Sequence, residues 1–294
     1  MTDVTFPSDV QALFDAYDDA GRDLYLVGGA VRDWALGEAI DELDDLDFCT
    51  DARPEESREI LREHGFSTYD LGAEFGTVGT VLRGGTDEMK DCQITTYRSD
   101  EQYRRGSRHP EVEFGETIDE DLGRRDFSIN SMALDGDGQL LDPYDGMEDL
   151  DRGVLRVIGD PDETLAEDPL RILRVGRFMS RFDFEPSDAL EAASTDRAGH
   201  LLEISRERWL AEMDGLLVGD HPRPALSFLH RTRALGFMLP EVEALTDLHE
   251  SCPVHHKDVW AHTLEVVERA PAERALRWAA LLHDVGKPWT RRVD

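Results

Sequence analysis

Asp45 and Asp47 are the residues in this 294-residue chain whose spacing points most directly to chemistry. They alternate with Leu46 and Phe48 in the run Asp45-Leu46-Asp47-Phe48. On an extended strand, side chains two residues apart share a face, so both carboxylates project together, roughly 6–7 Å apart along the backbone. Leu46 and Phe48 then turn the other way, into a core. Two hard oxygen donors on one face can hold a pair of Mg²⁺ ions about 3.5–4 Å apart, which activates an attacking oxygen and stabilises a leaving one. Alone, an Asp-x-Asp pair is more often a solvated strand edge. Its neighbours decide between the two.

Those neighbours suit a phosphate. Leu24-Tyr25-Leu26-Val27 reads as a short buried strand, Gly28-Gly29 breaks it, and Ala30 to Leu36 reads as helical turns. Such a turn bares backbone N–H groups where an anion can approach without meeting a Cβ. Arg32 adds a charged fork to the same anion. Three later clusters carry weaker signals. Arg124-Arg125-Asp126 before the apolar stretch from Ile129 to Leu134 is by itself an ordinary surface salt-bridge cluster. Asp168-Pro169 marks a helix entry, Pro169 at the first helical position and Asp168 as an N-cap contributing about 1 kcal/mol. Arg171, Arg174, Arg177 and Arg181 then draw one basic stripe. A charge stripe is usually a solvated face, but in an acidic chain aligned arginines without interleaved acids ask for an anionic partner.

In sequence order, these pieces resemble one family. Gly28-Gly29-Ala30-Val31-Arg32-Asp33, then Leu36-Gly37, then Asp45-Leu46-Asp47-Phe48-Cys49-Thr50 look like the signature of the class II tRNA nucleotidyltransferases and bacterial poly(A) polymerases. That family sits within the polymerase β-like nucleotidyltransferases. The loop from Gly37 to Asp45 is longer than usual, and Glu42 with Asp44 would restore the spacing. Asp45 and Asp47 are preferred because the following Phe-Cys-Thr-Asp-Ala-Arg-Pro continues the pattern in register. Gln93, in Gln93-Ile94-Thr95-Thr96-Tyr97-Arg98, stands where the family has a third carboxylate, with Asp91 on the same strand face.

The resemblance implies roles residue by residue. Asp45 and Asp47 are the catalytic, Mg²⁺-holding pair, while Gly28, Gly29 and Arg32 hold the triphosphate. Arg124-Arg125-Asp126-Phe127-Ser128-Ile129-Asn130 resembles the motif whose arginine side contacts the nucleotide, with Arg124 and Arg125 equally placed for it. Glu167-Asp168-Pro169-Leu170-Arg171 resembles the motif that reads the incoming base, Asp168 accepting from and Arg171 donating to its Watson–Crick edge. Arg174 and Arg177 complete that pocket. His256-Lys257-Asp258-Val259-Trp260-Ala261-His262-Thr263, followed by His283-Asp284 after an apolar run, resembles an HD phosphohydrolase start. His262, His283 and Asp284 would there hold a divalent metal. The implied reaction is attack of an RNA 3′-hydroxyl on the α-phosphate of CTP or ATP with pyrophosphate release, adding CCA to the 3′ end of tRNA. Poly(A) synthesis, or addition of CC or A alone, would use the same residues; an HD-type phosphohydrolase with a degenerate head is the reading from another class.

The implied fold class is α+β. A polymerase β-like nucleotidyltransferase head of mixed sheet and helices covers residues 1–150. An all-α neck and body for nucleotide selection and RNA binding covers 151–245, and the N-terminal part of a helical HD domain, incomplete at Asp294, covers 246–294. Local signals agree. Ser8-Asp9-Val10-Gln11 reads as a capping box before a helix with Val10, Leu13, Phe14 and Tyr17 on one face. Pro54 opens a helix that Gly65 stops, residues 77–82 and 92–97 read as a hairpin, and 99–110 as a polar, arginine-bearing loop. Ser205 caps a helix carrying Trp209, Leu210, Met213, Leu216 and Leu217.

Composition bounds the rest. No apolar run approaches membrane-spanning length and Met1-Thr2-Asp3 opens no signal peptide, so a cytoplasmic protein is expected. Cys49, Cys92 and Cys252 lie far apart, as reduced thiols rather than a disulfide or zinc framework. With 64 acidic and 32 basic residues the net charge is −32, opposite to what phosphate contacts usually favour. Lys90, Lys257 and Lys287 are the three lysines. High acidity with scarce lysine resembles proteins of salt-accumulating organisms, whose carboxylate repulsion is screened by concentrated salt. Thermal unfolding should therefore shift upward from dilute buffer to molar KCl; full stability and activity in dilute buffer would count against that origin.

Overall fold

The computed structural model describes residues 4–43, 45–70, 76–83, 89–102, 111–251 and 256–290. Asp44, most of the arginine-bearing loop (103–110) and Cys252 lie outside the described residues. The chain divides into two compact units, Met1–Asp151 and Arg152–Asp294. No helix among the described residues is long and apolar enough to cross a membrane.

Strands β1 (Leu24–Val27), β2 (Leu46–Thr50), β3 (Thr68–Asp70), β4 (Thr77–Leu82) and β5 (Lys90–Thr96) build most of the sheet in the first unit. A separate hairpin, β6 (Arg98–Gln102) with β7 (Glu111–Phe114), follows, and β8 (Ala133–Leu134) and β9 (Leu140–Leu141) complete the main sheet. Its order is β3-β4-β5-β2-β1-β8-β9. β2 and β5 pair in parallel and the other neighbours antiparallel, the mixed sheet expected from the sequence. A parallel pair cannot close through a tight turn. Here the path from β2 to β5 runs through a helix, the edge strand β3 and its neighbour β4.

Among the described residues, five helices accompany this sheet: α1 (Ser8–Asp19), α2 (Gly29–Ala35), α3 (Pro54–Glu63), α4 (Ile118–Gly123) and α5 (Gly146–Arg152). α1 buries Val10, Leu13, Phe14, Ala16 and Tyr17, the face its spacing foretold. Its start differs from the capping-box expectation. Pro7 is the N-cap, Ser8 lies inside the helix, and the Gln11 amide donates to Asp15 and to the Gly136 carbonyl. Proline already sets the extended entry, so the serine hydroxyl has no capping role. Phe14 meets Phe48 of β2 edge-on, ring centroids 5.7 Å apart, while Phe48 and Leu46 are each 1% exposed. That packing fixes β2 so that Asp47 points to the side opposite Leu46 and Phe48, a side on which Cys49 is buried in turn.

The second unit is largely helical: α6 (Pro161–Glu167), α7 (Arg171–Phe182), α8 (Asp188–Arg197), α9 (Arg206–Val218), α10 (Pro222–Arg231), α11 (Ala234–Met238), α12 (Pro240–Glu243), α13 (Val259–Arg269), α14 (Arg274–Leu282) and α15 (Lys287–Thr290). Two small pairs interrupt the helices, β10 (Val154–Leu155) with β11 (Glu185–Pro186) and β12 (His249–Ser251) with β13 (His256–Asp258). α7 buries Ile172, Leu173, Val175, Gly176, Phe178, Met179 and Ser180. Gly176 lets α9 approach closely, since a Cβ there would lie 2.8 Å from Leu216 Cδ1. The Ser180 hydroxyl donates to the Leu216 carbonyl at 2.6 Å, tying the same two helices.

Because Phe48 anchors the strand that carries both aspartates, Phe48→Ala should cost about 3–5 kcal/mol in urea unfolding. A loss below 1 kcal/mol would mean that β2 is held by something else.

Candidate active site

β1 ends in the glycine turn. Gly28 adopts φ +73°, a left-handed conformation that a side chain would strain. A Cβ there would also lie 2.8 Å from Arg125 Nη1, so glycine lets that guanidinium rest on the turn. The Gly28 N–H donates to the Met132 carbonyl at 3.4 Å. Gly29 and Ala30 open α2, where backbone N–H groups have no carbonyl one turn earlier. Arg32 departs from its expected place. It is 4% exposed, with Nε and Nη2 on Asp33 at 2.8 and 3.0 Å and Nη1 on Asn130 Oδ1 at 2.7 Å. Asn130 Nδ2 in turn donates to Asp126 Oδ1 at 2.9 Å. The fork expected to face an anion is thus closed on its own neighbour, and Arg32 braces α2 against the 3-10 turn Ser128–Asn130.

Asp45 and Asp47 stand on one face, as their alternation required. Both are exposed while Leu46 and Phe48 are buried. Glu42, of the alternative pair, lies in a 3-10 turn (Ile40–Glu42) rather than on a strand. Buried Ile40 and Leu43 anchor this longer acidic loop, and Lys90 Nζ donates to the carbonyls of Asp41 and Leu43 at 2.8 and 2.6 Å. The register sets Asp47 beside Val27 on one side and Gln93 on the other. Gln93 therefore occupies the row where a third carboxylate would join Asp47. Asp91 sits one step along, accepting from the Tyr69 hydroxyl at 2.8 Å. Partial desolvation raises the Asp47 carboxyl above its ordinary value; Arg125 opposes the shift and Asp45 adds to it. Two crowded carboxylates with such an electrostatic deficit are a donor set that suits a hard divalent cation.

One buried carboxylate organises the arginine pair. Asp121 on α4 is fully buried and takes Arg124 Nη2 on Oδ1 and Arg125 Nη2 on Oδ2, both at 2.9 Å. Its oxygens also accept from the Arg98 backbone at 3.2 Å and the Cys49 thiol at 3.3 Å. Burial alone would raise the Asp121 carboxyl. Arg125 and then Arg124, by charge and hydrogen bonds, outweigh burial and bring it down to about 2. Burial and the Asp121 charge push the Cys49 thiol up, so it is a packed neighbour rather than a nucleophile.

In the second unit, Asp168 follows α6 in an extended conformation. Its Oδ1 accepts from the Leu170 amide at 3.2 Å and Oδ2 from Arg208 Nη2 at 2.9 Å. α7 itself begins at Arg171 with Leu170 as its N-cap, two residues beyond the start expected from Asp168 and Pro169. The arginine stripe lies along α7 but is not free of acids. Glu212 of α9 reaches Arg174 Nε at 3.3 Å and Arg177 Nε at 2.8 Å. Arg171 Nη1 lies 4.0 Å from Glu167. Glu167 lies one helical turn before Arg171, but Glu212 comes from elsewhere in the chain, which the linear spacing of the stripe could not show.

Among the described residues, His262, His283 and Asp284 have ligand atoms within 4.8 Å of one another. His283 Nδ1 donates to the Ala280 carbonyl at 2.7 Å, so Nε2 is its ligand atom, 3.2 Å from Asp284 Oδ2. Lys287 Nζ also reaches that oxygen, at 2.8 Å, and a metal there would compete with it.

Comparison with known proteins fits the two units. The family described as "Poly A polymerase head domain" matches residues 24–156. The one described as "Probable RNA and SrmB-binding site of polymerase A" matches 183–246. The CCA-adding enzyme of Streptococcus gordonii is 35% identical over 284 residues, 93% of this chain and 68% of that protein. The chain belongs to the family of CCA-adding enzymes and bacterial poly(A) polymerases. Membership implies use of a divalent metal. The enzyme of Streptococcus suis is 40% identical over 228 residues, 78% of this chain and 53% of its own length. That of Leuconostoc mesenteroides is 35% identical over 261 residues, 87% of this chain and 62% of its own length. The chain thus spans about half to two thirds of these relatives. The crystal structure of the Bacillus stearothermophilus CCA-adding enzyme in complex with CTP matches 97% of this chain and 66% of that one, with TM-score 0.76 and 31% identity. A tRNA nucleotidyltransferase complexed with a primer tRNA and an incoming ATP analog matches 87% of this chain and 74% of that one, with TM-score 0.63 and 28% identity.

Sequence reasoning missed Asp121, Lys90, Arg208 and Glu212. Asp121 had a signal, because it precedes Arg124 and Arg125 by three and four residues on a helix. Its folded carboxyl stands at about 2, against about 4 when unfolded. The folded state therefore binds fewer protons between those values. The stabilisation is complete above about pH 4 and is lost as pH falls through about 2. Asp121→Asn should lower stability at neutral pH by on the order of 2 kcal/mol. In urea unfolding at stepped pH, the gap to wild type should close below pH ~4; a gap that stays constant would refute the assignment.

Proposed function

We propose that this chain adds C, C and A in turn to the 3′ end of tRNA, using CTP and ATP. The observation that carries the reading is the placement of Asp45 and Asp47 on one face of β2, directly beside the glycine-turn strand β1. The relatives named as CCA-adding enzymes, and the neighbour solved with CTP, support it. Asp45 and Asp47 would hold Mg²⁺, whose bound charge lowers the barrier for the RNA 3′-hydroxyl and stabilises the departing pyrophosphate. The Gly28-Gly29 turn leaves room for the triphosphate. Arg124 and Arg125, fixed in direction by Asp121, supply positive charge that need not reorganise during reaction. Arg32 serves this site indirectly, as the brace that holds α2. Asp168 and Arg171 read the base, with Arg174 and Arg177 completing the pocket, so side chains replace a template. In this reading residues 1–150 are the catalytic head and 151–245 the neck and body that meet RNA. The expected compartment is the cytoplasm.

A second reading applies to residues 246–294. The mutual approach of His262, His283 and Asp284 favours the start of an HD-type metal site.

Incubation with tRNA lacking its 3′ end and each labelled nucleotide in turn should give C, C, A incorporation. Asp45→Ala or Asp47→Ala, and removal of divalent metal by EDTA, should abolish it. Unlimited A addition would select the poly(A) alternative. Phosphate release that survives both substitutions, with no nucleotide incorporated by wild type, would make the protein an HD hydrolase.

A further inference from the structure

The sheet holds its two aspartates unequally. Asp47 is paired on both sides, with Val27 of β1 and Gln93 of β5. Asp45 is not: the ladder with β5 opens at Leu46 and the one with β1 at Asp47, so Asp45 stands ahead of the first paired residue. A residue outside its ladder takes its place from the chain that leads into it. That chain is crowded with like charge, since six of the ten residues from Glu38 to Asp47 are acidic. Repulsion among them favours a spread loop. One side chain opposes the spreading. Lys90 opens β5 and is fixed there by pairing with Leu82 of β4. Its Nζ donates to the Asp41 carbonyl at 2.8 Å and the Leu43 carbonyl at 2.6 Å. Those carbonyls lie at the end of the 3-10 turn Ile40–Glu42, where carbonyls have no N–H partner within the turn. In sequence, Asp44 alone separates Leu43 from Asp45.

We propose that Lys90 is a positioning residue for the metal pair, clamping the acidic loop so that Asp45 stands at the right distance from Asp47. The inference rests on the reading of these two aspartates as Mg²⁺ ligands. Asp47 is placed by the sheet, and Asp45 by the clamp. Lysine suits the task because its ammonium is a compact charge whose rotatable donors can converge on two carbonyls. Its partners are backbone atoms, so the clamp sets the path of the chain itself. It also brings positive charge to a loop whose own residues repel one another. Groups that orient a ligand without touching the metal govern how tightly that metal is held.

The test uses Mn²⁺ as the probe. Its binding to the full chain with CTP and no primer is followed by electron paramagnetic resonance against CTP alone, beside the Mg²⁺ dependence of nucleotide incorporation. Lys90→Met keeps an unbranched stem and removes the donors. It should weaken Mn²⁺ binding, and raise the Mg²⁺ needed for half-maximal incorporation, by about tenfold each. The rate at saturating Mg²⁺ should fall much less. Lys90→Arg, which keeps the charge and donors, should recover most of the loss. In an Asp45→Asn background Lys90→Met should weaken Mn²⁺ binding no further, since both act through one ligand. A lower thermal unfolding midpoint with unchanged Mn²⁺ affinity, or a lost rate that saturating Mg²⁺ does not restore, would make Lys90 merely structural and overturn the proposal. If Asp45→Asn weakens Mn²⁺ binding and Lys90→Met does not, the positioning inference falls while the metal reading stands. If Asp45→Asn leaves Mn²⁺ binding unchanged, the metal reading of Asp45 falls, and the role of Lys90 with it.

Discussion

Two negative charges on the same face of one strand oppose each other, and the architecture of the head is a frame that keeps them there. Leu46 and Phe48 fix the face by burying the opposite side of β2. β1 and β5 flank the strand and hold its register on both sides. Lys90 stitches down the acidic loop that delivers Asp45. Partial burial, with Asp45 adding to it, raises the Asp47 carboxyl, a cost of holding the pair here. A bound divalent cation would remove that cost, so the strain and the proposed function share one origin.

The arginines follow the same rule with the signs exchanged. In each unit they are not left to float but are gripped from behind by an acid: Asp121 for Arg124 and Arg125, Glu212 for Arg174 and Arg177. A flexible cation must be ordered when an anion arrives, and that ordering opposes binding. A gripped one is ordered already. Arg32 is the limiting case, so fully enclosed by Asp33 and Asn130 that it serves the fold.

Most of the head was legible because period-two alternation and glycine turns are local properties. The run from Leu24 to Thr50 announced a strand, a turn, a helix and the carboxylate pair, and each is present. The register gives Gln93 its place too: it lies beside Asp47, in the row where a third carboxylate was expected. What stayed hidden is pairing across long separations. Nothing near Arg174 in sequence announces Glu212, and Asp168 lies forty residues from Arg208. Local chemistry also has competing solutions. Ser8 could have capped α1, but Pro7 had already set the backbone. Arg32 could have faced an anion, but Asp33 stands next to it.

The net charge of −32 looks adverse for a protein expected to meet RNA. The gripped arginines show how both can hold. A bare cluster of arginines would attract any polyanion at long range, with an affinity set mainly by released counterions and steeply dependent on salt. An arginine backed by a carboxylate presents little net charge at a distance, yet offers directed N–H donors at contact range. Screening by concentrated salt removes the long-range component first, because it acts beyond the Debye length of about 3 Å at 1 M. Short, oriented hydrogen bonds within the site persist. An acidic surface with a few internally paired arginines is therefore consistent with recognition by geometry rather than by overall attraction, and that is the kind of recognition that choosing one base over another demands.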